Sequence, residues 1–177
     1  MMAAEFFSRA GSEEILLPAK PGYLTLTLFC ALLLNLLPLS GWVLALRPDI
    51  VALVLLYWGV RQPRKIGFLP AWLLGLAMDV SAGSLFGQHA LAYSVMMFAA
   101  IGLHRRISMF DRRQQMLHIL AILLMTQLIV LAVRVAAGGV MPGWWYFLPT
   151  LTGTLFWPVV DMLVKIPLRP RVDPDQV

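Results

Sequence analysis

Long apolar runs separated by short polar stretches set the pattern of this chain, and six blocks can be delimited. The first covers residues 23–46 and is interrupted by Pro38, Ser40 and Gly41. Either it is one helix kinked at Pro38, or it ends near Leu37 and leaves 41–46 at a membrane interface, anchored by Trp42. The second, 50–60, follows Arg47-Pro48-Asp49, and both proline at a first helical position and aspartate near a helix N-terminus are favourable there. The remaining blocks are 66–80, 85–103, 116–137 and 144–166. Blocks two and three are short, because a span needs roughly 20 residues to cross about 30 Å of hydrocarbon. They cross by thinning the bilayer or using their polar flanks, or they form a re-entrant pair.

Charge placement decides between these readings. If the N-terminus is cytoplasmic and every block crosses, the inner segments hold Arg9, Lys20, Arg61, Arg64, Lys65, Arg105, Arg106, Arg112, Arg113, Lys165, Arg169 and Arg171. That is twelve of the fourteen basic residues, with only Arg47 and Arg134 outside, a clear positive-inside bias. Removing one span would scatter the basic clusters over both faces. The expectation is an all-α integral membrane protein with six transmembrane helices and both termini inside. Residues 1–22 form a cytoplasmic segment, 23–166 the membrane domain, and 167–177 a polar, disordered tail carrying Pro170 and Pro174.

Composition agrees, with 60% hydrophobic and only 13% charged residues, against about 25% charged in average soluble domains. The opening residues lack the basic tip, apolar core and small-residue cleavage site of a secretory signal, so the first block is expected to remain as a span. Cys30 is the single cysteine, which excludes an internal disulfide and a thiolate-rich metal site. The net charge of +5 sits in short connections between apolar runs and reads as topology, not as a nucleic-acid surface.

The stretch GLAMDVSAGSLFGQH, residues 75–89, holds the most informative polar positions. Ala71, Gly75 and Asp79 share one helical face, and Gly83 and Gly87 continue the four-residue count, although a turn must fall near 81–84. Small residues at this spacing let helices approach closely, either within the bundle or against a partner's span. A carboxylate in such a groove costs roughly 2.5–3.5 kcal/mol at the bilayer centre and less near the interface. Asp79 therefore reads as a cap for the following helix, or an interhelical contact, with Arg134 one candidate partner. An amide would still cap, so Asp79→Asn is expected to be milder than Asp79→Lys. Asp161 lies four residues before Lys165 and can pair with it. Arg134 is placed to snorkel to headgroups, and Asn35 and Gln127 read as interhelical hydrogen-bonders. Arg61, Arg64, Lys65, Arg105, Arg106, Arg112 and Arg113 suit anionic lipid headgroups, at about 1 kcal/mol each. The three histidines lack metal-ligand spacing, and no hydrolase, zinc or phosphate-loop motif is present. No catalytic residue or cofactor is expected.

Four segments taken in order carry a resemblance: RPDIVALVLLYWGVRQPRKIG, GLAMDVSAGSLFGQHALAY, LHRR and WWYFLPTLTGTLFWPVVD. Together they resemble the rod shape-determining membrane protein MreD family from about Leu16 to Leu163. The family's glycine–aspartate–glycine pattern falls on Gly75, Asp79, Gly83 and Gly87. The charged run Met109-Phe110-Asp111-Arg112-Arg113 departs from it. The resemblance implies a non-enzymatic scaffold of the bacterial elongation machinery in the inner membrane. It implies binding to the bitopic protein MreC and, through it, connection to MreB, RodA and a penicillin-binding transpeptidase. The family's fold also resembles the substrate-binding subunits of energy-coupling-factor transporters, which makes a small-molecule-binding subunit the rival reading. Those subunits dock through alanines four apart on the first span. In FCALLLNLL here, Ala31 is followed four residues later by Asn35, which counts against that rival.

Overall fold

The computed structural model describes residues 19–84 and 86–168, without the side chain of Arg112. The expectations for the first eighteen residues and for 169–177 lie outside the described residues. Every regular element among the described residues is helical: α1 (Pro21–Asn35), α2 (Gly41–Leu46), α3 (Ile50–Arg61), α4 (Phe68–Ala82), α5 (Gln88–Met109), α6 (Arg112–Ala136) and α7 (Leu148–Lys165). Short 3₁₀ turns at Trp144–Phe147 and Ile166–Leu168 flank α7. Three stretches are long and apolar enough to cross a membrane: Gly41–Arg61, Arg113–Ala136 and Trp144–Leu168. Helices α1 and α4 are apolar but shorter, at 15 residues each.

The first block is broken before Pro38 into two helices, and the second of them joins the next block in one apolar stretch, Gly41–Arg61. Helix α1 stops at Asn35, and Gly41–Leu46 forms the separate α2, whose Trp42 is 72% exposed and meets Trp145 edge-on at 5.8 Å.

Helix α3 occupies the centre. Every residue from Val51 to Val60 is buried, as expected for a helix that is apolar all round. It packs against α1, α5 and α7, while α4 packs on α5 and α6 bridges α5 and α7. Helix α5 turns Tyr93, Met97 and Ala100 towards the core, the spacing of one helical face. Gly59 of α3 makes this contact close, since a Cβ there would lie 2.8 Å from Met97 Sδ and 2.9 Å from Ala100 Cβ. On α4, Ala71, Gly75, Met78 and Asp79 are buried, while Leu69, Leu73 and Val80 on the other face are exposed.

Polar groups collect at the two ends of this bundle. At one end Trp58 Nε1 donates to Thr27 Oγ1, Tyr23 OH to the Val164 carbonyl, and Lys65 Nζ to the Ala19 carbonyl. The other end carries the carboxylates of Asp49 and Asp79.

Candidate functional site

Helix α4 ends because Gly83 adopts a left-handed conformation at φ 57°, with Ser84 N–H donating to the Asp79 carbonyl at 3.1 Å. Glycine is favoured there because a Cβ would clash with the following carbonyl. Gly87, at φ 99°, then starts α5. The turn brings the N-terminus of α5 back over the Asp79 side chain, which is 1% exposed. His89 N–H donates to Oδ1 at 2.8 Å, Gly87 N–H to Oδ2 at 2.9 Å and Ala90 N–H to Oδ2 at 3.4 Å. Ser84 Oγ and His89 Nδ1 complete the shell on Oδ1, at 3.1 and 2.7 Å. A carboxylate only accepts, so Nδ1 carries a proton and donates to it.

Asp79 therefore caps α5 from a neighbouring helix and satisfies donors that a helix N-terminus leaves orphaned. Gly75 makes the geometry available, because a Cβ there would lie 2.4 Å from Ala90 Cα and 2.5 Å from its nitrogen. The close approach is made by α5 itself, the within-bundle one of the two alternatives that the spacing allowed. Gly83 and Gly87 do not extend the strip: a Cβ on either meets nothing within 4 Å, and both serve the turn. Arg134 is exposed and makes no contact with Asp79.

A second carboxylate, whose helix-start position alone was visible in the sequence, lies at the same end of the bundle. Asp49 caps α3 through Ala52 N–H at 3.0 Å and accepts from Asn35 Nδ2 at 2.8 Å and Tyr93 OH at 2.5 Å. Asn35 Oδ1 in turn accepts the Ile50 N–H at 3.1 Å, so α1, α3 and α5 meet in one hydrogen-bonded knot. Tyr93 sits one turn after His89, and their rings touch edge-on at 6.0 Å. The two aspartates are thus joined through His89 and Tyr93. The sequence signals were Asp49 at a helix start and a tyrosine four residues after the histidine.

Between α3, α5, α6 and α7 at this end lies a cavity of about 190 Å³, lined by apolar Leu53, Leu123 and Val130 together with Asp49, His89 and Tyr93. Gln127 fixes its far wall by donating to the Tyr146 carbonyl and accepting from Thr150. A second recess of about 430 Å³, bordered by Arg134 and Gln88, shares His89, Val130 and Tyr146 with the first.

At the opposite end, Asp161 pairs with Lys165 at 2.6 Å and also with Arg61 at 2.9 Å. Arg61 is thereby committed to α7 and removed from the set free for lipid. Lys65 spends its ammonium on the Ala19 carbonyl. Arg64, Arg105, Arg106 and Arg113 are exposed, and the side chain of Arg112 lies outside the described residues. Among the described residues no three His, Cys, Asp or Glu side chains gather to hold a metal.

Comparison with known proteins bears on what this arrangement serves. The family profile described as rod shape-determining protein MreD matches residues 21–166. This chain belongs to the MreD family. It is 28% identical over 135 residues to the rod shape-determining protein MreD of Haemophilus influenzae, covering 76% of this chain and 83% of that protein. No solved structure matches the chain significantly. The matched region runs from the first turn of α1 through the end of α7, so every α-helix described above falls within the MreD family region. Members are membrane proteins of rod-shape determination, not a known enzyme family.

Proposed function

We propose that this chain is a non-enzymatic scaffold of the bacterial elongation machinery, held in the inner membrane as a multi-pass protein. It binds the bitopic protein MreC and, through it, supports MreB, RodA and a penicillin-binding transpeptidase in lateral peptidoglycan synthesis. The observation that carries this reading is the family match across the whole helical bundle. In the proposed topology all the helical blocks cross, six in number, with α2 and α3 acting as one span and both termini in the cytoplasm. The Asp79 end then faces outwards and the Arg61 end inwards. The basic residues Arg64, Arg105, Arg106 and Arg113 meet the anionic inner leaflet, in keeping with positive-inside placement.

The polar groups of the bundle support a binding role. Both carboxylates are held by several donors of the chain itself, which suits fixed helix caps better than proton transfer. Depleting the chain in its own host, with pulse-labelled wall precursor, tests the reading. The expected result is rounding of the cells with loss of sidewall incorporation. Retained sidewall growth together with loss of uptake of one small nutrient would overturn it in favour of a transporter subunit.

A further inference from the structure

The two connected recesses at the Asp79 end hold polar groups that the helix caps do not use. Gln88 is only 5% exposed, yet its side-chain amide has no hydrogen-bond partner among the described residues and borders the larger recess. An amide that opens onto a recess without a partner in the chain leaves its hydrogen bonds to be made with a bound molecule. His89 lines both recesses, with its Nδ1 held by Asp79. The Arg134 guanidinium borders the same space without a carboxylate partner among the described residues, and Tyr146 lines both recesses. No acidic side chain lines the larger recess, so its net character is cationic with neutral donors. The adjoining cavity presents Leu53, Leu123 and Val130 beside the polar Asp49, Tyr93 and Thr126, and at about 190 Å³ it exceeds the roughly 150 Å³ that accommodates a benzene ring.

We infer that this paired recess is a binding site for a small phosphate ester with an apolar arm. The phosphate oxygens sit against Arg134 and the Gln88 amide, with the His89 ring in the same recess, and the apolar arm enters the adjoining cavity. An arginine with fixed neutral donors recognises a phosphate oxyanion by charge-assisted hydrogen bonds. The ester is supplied either by an anionic phospholipid headgroup or by a free phosphorylated small molecule. This inference does not depend on the scaffold reading, since loss of a protein partner and loss of a bound anion are read separately.

The test uses the full chain in phosphatidylcholine nanodiscs, with octyl phosphate as the probe and octyl glucoside as the neutral control. Octyl phosphate is expected to raise the melting temperature with concentration, as binding to the folded state must, while octyl glucoside does not. Arg134→Gln and Gln88→Leu are expected to weaken that response by about tenfold or more, the loss of one charge-assisted hydrogen bond. Arg134 is exposed, so its variant reports even if Gln88→Leu does not fold. Inorganic phosphate and native mass spectrometry in nanodiscs doped with phosphatidylglycerol distinguish the sources. A shift with phosphate alone assigns a free ligand, and selective retention of phosphatidylglycerol assigns a lipid. Equal responses of wild type and Arg134→Gln, or no response to octyl phosphate, would overturn the inference.

Discussion

Two glycines eight residues apart make opposite demands on the chain. Gly75 touches the backbone of Ala90, so even one methyl group must push α4 and α5 apart. Gly75→Ala is expected to abolish the folded protein, read as loss of the monodisperse peak in detergent. Gly83 has open space around it, and an alanine there meets only the left-handed backbone cost of about 1–2 kcal/mol. Gly83→Ala should therefore fold with a lowered melting temperature. Asp79→Asn is harsher than its capping ability alone suggests. An amide nitrogen would face either Gly87 and Ala90 or His89 and Ser84, all donors in the present structure. A loss of about 1–3 kcal/mol is expected for Asn, with Asp79→Lys failing to fold; an Asn variant as stable as wild type would contradict the cap. The strip Ala71–Gly75–Asp79 was legible in the sequence because it lies on one continuous helix. Gly83 and Gly87 were not, because a four-residue count carries no sign that the helix has stopped.

Helix α3 was legible as an element but not as the centre of the molecule. Its apolar run gave the boundaries within a residue, yet uniform burial shows only when α1, α5 and α7 surround it. Tyr93 is 44 residues from Asp49, and no local pattern joins them. Tyr93→Phe should lower stability by about 1.5–3 kcal/mol, as expected for a hydrogen bond to a charged group, while keeping helix content by circular dichroism. The i,i+4 pair of Asp161 and Lys165 was visible in the sequence, but the long-range partner Arg61 was not. Arg61→Met and Asp161→Leu, alone and together, should show a coupling of about 0.5–3 kcal/mol in thermal unfolding. Additive effects would mean that the contact contributes little.

For the molecule as a whole, charge asymmetry was the strongest signal. It underlies the proposed alternation of segments, and within the bundle the Asp49 and Asp79 caps lie at one end and Arg61, Asp161 and Lys165 at the other. With Cys30 replaced by serine, a single cysteine at Ser84 should react with an impermeant maleimide from outside the cell, and one at Arg113 only after lysis. The packing order of the helices was not legible, because apolar faces look alike when lipid is one of the solvents. At Gly75 the strip of small residues is filled from within by α5. The measurement that bears most directly on the scaffold reading is a gentle-detergent pull-down of the intact chain from its native membrane, with intact-mass analysis of what remains bound. A stoichiometric protein with one span and a large outer domain is the predicted result. An ATPase with its membrane coupling subunit in that place would contradict it.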